Sequence, residues 1–334
     1  MTAQGRARIG VAFSGGLTPG EIVECVQLAE ELGFESAWVA EGHGGDQFAI
    51  LAACATATRR IRLGTSISSV FVRSVPTIAM AAATVDQLSG GRFILGLGSS
   101  HKVQVEPEHG IPYRDPIPRV RESVEVIRAL LREGTVSHRG RIVSIERFDL
   151  WFRPLRPEIP IYLAALFGPM LEVCGEIAQG TLLTWSTLDA GRRAAQHVAR
   201  GAARAGRRPE EIEIASLLPC FVAGTRQEAL DGLRPAVAMY GGFFPRYNRL
   251  LAESGFPEAA RAIKTAWDAG DREGAARAVP DALVEAVGVA GTPTECRERV
   301  EAYRRAGLAL PIVSPRVGTA GKQAALDALR ACAP

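Results

Sequence analysis

The sequence predicts an α/β protein, a (β/α)8 TIM barrel with two insertions. Three observations carry this. Short β-rich runs alternate with amphipathic helical runs, and eight such strand–helix pairs follow one another. The strand runs are mostly apolar along their length, as parallel strands buried on both faces should be. The chain has 334 residues and no low-complexity tract or linker, so it reads as one domain of barrel size. An open, doubly wound sheet of the same elements is the alternative, though open sheets of eight strands are less common.

Residues 8–13 (RIGVAF) read as the first strand and 19–32 as its helix. Thr18 and Glu21 have capping-box spacing, Pro19 sits in the first turn, and Gly33 stops the helix. The second pair is 36–40 and 47–58, and the third is 61–68 and 77–88. Strand four is 93–98 (FILGLG) with its helix at 119–132; strand five is 160–166 with a helix at 170–178. The sixth pair is 181–185 and 191–205, the seventh 212–223 and 226–239, and the last 309–314 and 321–331. Residues 135–150 alternate polar and apolar around HRGR and predict an inserted β-hairpin. Residues 240–290 predict several short helices, an insertion of the kind that covers or shapes a barrel's catalytic rim.

Composition removes several classes of function. With 47% hydrophobic and 22% charged residues the chain is a folded one. The 39 basic and 36 acidic residues nearly cancel, which gives no footprint for nucleic acid or a membrane surface. The six cysteines, Cys25, Cys54, Cys174, Cys220, Cys296 and Cys332, form no C-x-x-C pair. They read as reduced, buried thiols of a cytoplasmic protein. The five histidines have no metal spacing, and His109, His138 and His197 are expected at the surface. The first ten residues lack the apolar run of a signal peptide, and no run of about 18 apolar residues spans a membrane.

In a barrel the active site lies at the C-terminal strand ends, which converts the fold into a residue list. Strand two ends at Glu41 and His43, strand three at Ser66 and Ile67, and strand four at Gly98, Ser99 and His101. Strand five ends at Ala164, Ala165 and Gly168, and strand six at Thr184 and Trp185. The list holds no lysine and no carboxylate cluster, which counts against Schiff-base and glycosidase chemistry. A rim of small residues suits a large, flat cofactor that must come close to the backbone. Glu41 and His43 are candidates for cofactor contact or proton transfer, with a rim salt bridge as the plain alternative. His101 is a candidate proton donor or an ordinary loop histidine. The helix beginning at Gly168-Pro169 is a candidate phosphate site, and Trp185 either flanks a ring or fills the barrel mouth.

The stretch LAEELGFESAWVAEGH, followed by the block from Thr58 to Gly98 (T-R-R-I-R-L-G-T … T-V-D-Q-L-S-G-G-R-F-I-L-G-L-G), resembles the bacterial-luciferase-like superfamily. The stretch from Tyr240 through Phe256 to Trp267, with Gly291-Thr292-Pro293, resembles its methylenetetrahydromethanopterin-reductase branch, which uses the deazaflavin coenzyme F420. The resemblance implies a cofactor ring at the barrel mouth, backed by a non-proline cis peptide at the end of strand three, here Ser66–Ile67. It implies His43 and Glu41 near the ring's polar edge, and Gly98 and Ser99 beside the ring or its side chain. Ala164, Ala165 and Gly168 would touch the tail and phosphate, with Thr184 and Trp185 near the same end. Many deazaflavin reductases of this superfamily carry a glutamate just after the strand-four glycines. Here Ser99, Ser100 and His101 follow, so His101 is the substitute candidate.

The expected function is therefore an F420-dependent oxidoreductase moving a hydride to or from a small-molecule substrate. An FMN-dependent monooxygenase is the alternative, and a non-catalytic ligand-binding barrel is a third reading. No metal is expected. The resemblance also implies a homodimer, and the alanine-rich 77–84 helix would permit close packing there.

Overall fold

A computed structural model describes residues 7–334. The first six residues, part of the segment read above as carrying no signal peptide, lie outside the described residues. The strands are β1 (Gly10–Phe13), β2 (Ser36–Val39), β3 (Arg62–Thr65), β4 (Ser68–Ser69), β5 (Phe93–Gly98), β6 (Thr135–Arg139) and β7 (Ser144–Asp149). They continue with β8 (Ile161–Ala164), β9 (Gly180–Thr184), β10 (Glu213–Val222), β11 (Val289–Gly291) and β12 (Leu310–Pro315).

The main sheet runs in the order β11-β10-β12-β1-β2-β3-β5-β8-β9, and β9 also pairs with β10. Eight parallel strands thus return on their own starting point, and the fold is a (β/α)8 barrel. These eight are the strands expected from the sequence. Among the described residues no helix is long and apolar enough to cross a membrane.

The chain divides into two compact units. One holds the described residues up to Val11, Leu183–Ala195 and Ile214–Pro334; the other holds Ala12–Leu182 and Gln196–Glu213. In the second unit the first helix, Pro19–Leu32, starts as its sequence requires. Thr18 accepts from the Glu21 amide while the Glu21 carboxylate accepts from the Thr18 amide at 2.8 Å. Gly33 ends it at φ 91°, a left-handed value that glycine adopts without a Cβ clash.

The entry to β3 is tied from two sides. Glu30 on that first helix accepts three consecutive backbone N–H groups, from Arg59, Arg60 and Ile61, at 3.0, 2.5 and 2.8 Å. The Arg92 guanidinium donates to the carbonyls of Ala55 (2.9 Å), Thr58 (3.1 Å) and Ile61 (2.6 Å). Burial pushes the Glu30 carboxyl up, but the three amide donors outweigh it and hold it below the ordinary carboxylate value. A depressed folded-state pKa contributes stability above the unfolded-state pKa, and that stability is lost as pH falls through the folded one. Glu30→Gln is expected to flatten the loss of stability below about pH 4. Urea midpoints at neutral and acidic pH check this, and two parallel pH curves would contradict it.

The predicted hairpin is present as antiparallel β6 and β7. Glu122 fixes its turn by accepting from the amides of Arg141, Ile142 and Val143 at 3.1, 2.9 and 2.7 Å. The structure corrects the expected surface position of His138, whose side chain is only 14% exposed, 3.8 Å from Glu122.

In the other unit the insertion is helical, at Pro245–Glu253, Pro257–Asp268, Arg272–Arg277 and Asp281–Val287. Two features there differ from expectation. Strand β11 adds to β10, and the helix Pro293–Arg305 follows it. That helix has only Cys296, Val300 and Tyr303 buried among many arginines and glutamates, so its apolar period is faint. A second unexpected helix, Lys102–His109, follows β5 in the second unit.

Candidate active site

The end of β3 is where chain direction and hydrogen bonding depart from a regular strand. The Ser66–Ile67 peptide is cis, at the bond the sequence resemblance implied. Ser66 N–H donates to Val39 at 2.8 Å, and β4 then pairs with the end of β5, with Ser69 beside Gly98. Two glycines of β5 allow the close approach. A Cβ at Gly96 would fall on the Thr65 carbonyl oxygen, and Thr65 and Gly96 exchange hydrogen bonds of 2.8 and 2.9 Å. A Cβ at Gly98 would lie 2.9 Å from the end of the Ile67 side chain and 3.2 Å from the Ala164 methyl. Ile67, Gly98 and Ala164 are therefore brought together. Ala165 lies beyond, its amide donating to Leu182 at 3.2 Å.

The polar candidates have separate surroundings. Glu41 accepts the Ser69 amide at 2.8 Å and pairs with Arg73, which also reaches Asp46 at 2.5 Å. Burial pulls the Arg73 guanidinium down, but Asp46 and Glu41 raise it further than burial lowers it. Glu41 thus braces β4 from the side. The His43 side chain is 78% exposed and meets Glu108 at 3.2 Å. His101 occupies the N-cap position of the helix Lys102–His109 without a capping hydrogen bond from its side chain. Ser99 is buried and accepts from the Tyr113 hydroxyl at 2.9 Å, and Tyr113 also reaches the Ser100 carbonyl at 3.4 Å. Phe71 stacks on Tyr113 with centroids 4.5 Å apart. Tyr113, Phe71 and Arg73 escaped the sequence reading because they lie in connections rather than at barrel strand ends.

Gly168 starts the helix Gly168–Ile177, whose N-cap, Phe167, supplies no side-chain cap. The His197 ring lies against Gly168 where a Cβ would otherwise sit, and its Nδ1 is 3.3 Å from Glu172. His197 is thus part of this corner and not a free surface group. Arg204 and His197 hold the Glu172 carboxyl down at about 2.

In the other unit, Thr184 ends β9 and Trp185 follows with φ 54°. Trp185 is buried against Tyr240 at 4.5 Å, and the Arg316 guanidinium lies 5.3 Å from both rings. Trp185 is thus packed within an aromatic corner beside an arginine. Among the described residues no three His, Cys, Asp or Glu side chains are arranged to hold a metal.

The model of the luciferase-like monooxygenase family matches residues 4–310. The chain belongs to that family. This luciferase-like chain is 29% identical over 317 residues to the 5,10-methylenetetrahydromethanopterin reductase of Archaeoglobus fulgidus, covering 93% of this chain and 94% of the relative. Its fold matches the coenzyme F420-dependent tetrahydromethanopterin reductase of Methanopyrus kandleri with TM-score 0.86 and 26% identity, over 98% of each chain. It also shares its fold, at TM-score 0.70, 19% identity and 98% coverage of both chains, with the oxygenating constituent of a Pseudomonas putida diketocamphane monooxygenase solved with FMN.

Proposed function

We propose that this luciferase-like enzyme uses the deazaflavin F420 to move a hydride to or from a small organic substrate at the C-terminal ends of its barrel strands. The observation that carries the reading is the cradle of Ile67, Gly98 and Ala164. Apolar groups meet closely there, and position 98 calls for a glycine because a Cβ would lie 2.9 Å from the Ile67 side chain. A planar tricyclic ring fits such a wall, and the uncapped start of the helix at Gly168 offers backbone donors to a phosphate. When bound, the deazaflavin supplies the hydride chemistry. The chain's own part is positioning and exclusion of water. Ile67 and Ala164 present apolar surface, Glu41 and Arg73 brace the strand behind it, and Tyr113 fixes Ser99.

The relatives favouring F420 are alike along almost their whole length, whereas the FMN-bound neighbour is alike in fold only. FMN-dependent oxygenation is therefore the second reading. The helix Val75–Leu88, with Leu88 48% exposed, supports a homodimer contact. Six free, buried cysteines accord with a reducing cytoplasm.

Fluorescence titration with F420 and separately with FMN tests this. F420 is expected to bind, and Gly98→Val to weaken that binding at least about tenfold, or 1.4 kcal/mol. Tight FMN binding without an F420 response would reverse the assignment.

A further inference from the structure

Two connections of the second unit meet side chain to side chain beyond the strand ends. His43 lies in the connection after β2, and Glu108 lies in the helix Lys102–His109 that follows β5. His43 Nε2 is 3.2 Å from Glu108 Oε2. In the sheet β3 stands between β2 and β5, and the three strands are parallel. Both connections therefore leave from the same end of the sheet, and a contact between them crosses the end of β3. Ile67 and Gly98 lie at that crossing, side chain against glycine.

We propose that the His43–Glu108 contact is the clasp of a two-part strap, which opens to admit the cofactor ring to Ile67 and Gly98 and closes over it afterwards. The proposal rests on the reading of that place as the ring site. Each half of the strap has fixed feet and a loose span. On the β2 side Arg73 holds both feet, pairing with Glu41 at one end and with Asp46, at 2.5 Å, at the other. Between them run Gly42, His43, Gly44 and Gly45. Three glycines in four residues give this span wide backbone freedom, and Gly45 uses it at φ 110°. On the β5 side the Tyr113 hydroxyl donates to Ser99 at 2.9 Å and to the Ser100 carbonyl at 3.4 Å, which closes the segment between them into a loop. The helix inside that loop buries only Val105. Ser100 at φ 55° and Gly110 at φ 66° flank it, and a non-glycine residue held in the left-handed region is a feature of switch segments.

The clasp is the weak part of the device. The His43 side chain is 78% exposed and that of Glu108 32%, so water competes for both groups and the pair adds little to stability. Few buried contacts resist its opening. A brace would be built from buried groups, as Asp86 and Arg156 are. A gate needs the reverse, a closed state favoured only slightly, because the ring has to pass and water has to be kept out once it has passed.

Two measurements on the full chain test this. Hydrogen exchange of the cofactor-free protein follows the amides of Lys102–Gly110, and stopped-flow fluorescence follows F420 association and dissociation. His43→Ala should speed exchange across that helix, although His43 belongs to another connection. His43→Ala and Glu108→Ala should each raise both F420 rates about two- to fivefold, the size of an exposed pair, so that Kd moves less than either rate. The double variant should exceed neither single one, because both remove the same contact. Unchanged helix exchange in His43→Ala would overturn the proposal. So would F420 rates that respond to His43→Ala and not to Glu108→Ala, the signature of an imidazole touching the ring directly. If F420 does not bind the unsubstituted chain, the proposed function falls, and the exchange measurement alone decides for or against the clasp.

Discussion

Replacing Arg156 with alanine is expected to destabilise the protein by about 3–5 kcal/mol, the range for breaking a buried ion pair from one side. Asp86 is 1% exposed, on the helix Val75–Leu88. Its carboxylate accepts from Arg156 Nε at 3.0 Å and from Nη2 at 2.7 Å. The same Nη2 donates to the Phe93 carbonyl, at the start of β5, at 2.8 Å. Removal of the guanidinium would leave a carboxylate buried with its main partner gone, and that penalty exceeds any gain from a smaller side chain. Arg156→Lys should recover part of the loss, because an ammonium lacks the planar fork that serves both oxygens and the carbonyl together. Urea unfolding at neutral pH measures both variants. A midpoint shift equivalent to less than about 1 kcal/mol for the alanine variant, the value of an exposed pair, would contradict the assignment.

Gly96→Ala is expected to be strongly damaging although it adds a single methyl. Its Cβ would meet a backbone oxygen, that of Thr65, rather than the tip of a side chain. Backbone atoms in mid-sheet have nowhere to go, so β3 and β5 must separate and the reciprocal Thr65–Gly96 hydrogen bonds are lost. Overpacking of this kind costs about 1–3 kcal/mol, and the lost hydrogen bonds add about 1 kcal/mol each. Because Thr65 precedes Ser66, F420 binding should fail alongside stability. Gly98→Ala is the control: its new methyl meets only the flexible end of Ile67 and the Ala164 methyl. Thermal melts of the two variants should differ by several degrees, and equal melting points would refute the distinction.

Much of the architecture was legible because it is written locally. The apolar runs of the eight barrel strands, the Thr18–Glu21 capping box and the hairpin around HRGR each depend on neighbours a few residues away. The helix Pro293–Arg305 carries the same capping signal, in Thr292 and Glu295 with Pro293, yet its charged surface hid the apolar face. The helix Lys102–His109 was concealed by polar residues and by Pro107 within it. At the candidate site, strand-end position picked out Ile67, Gly98 and Ala164, which lie close together. It could not show that His43 faces outward toward Glu108 or that Glu41 is occupied with Arg73, because those partners come from other connections. The Asp86–Arg156 pair links residues far apart in the chain, and no sequence period announces it.

The double anchoring of the segment before β3 has a consequence for how this unit can respond to an arriving ligand. With the Glu30 carboxylate gripping Arg59, Arg60 and Ile61 and the Arg92 fork gripping the carbonyls of the same bend, that end of the strand behaves as a clamped root. A clamped root cannot swivel. Induced adjustment is therefore confined to the free tip beyond Thr65, and chemical-shift changes on ligand addition should die away before they reach Ile61.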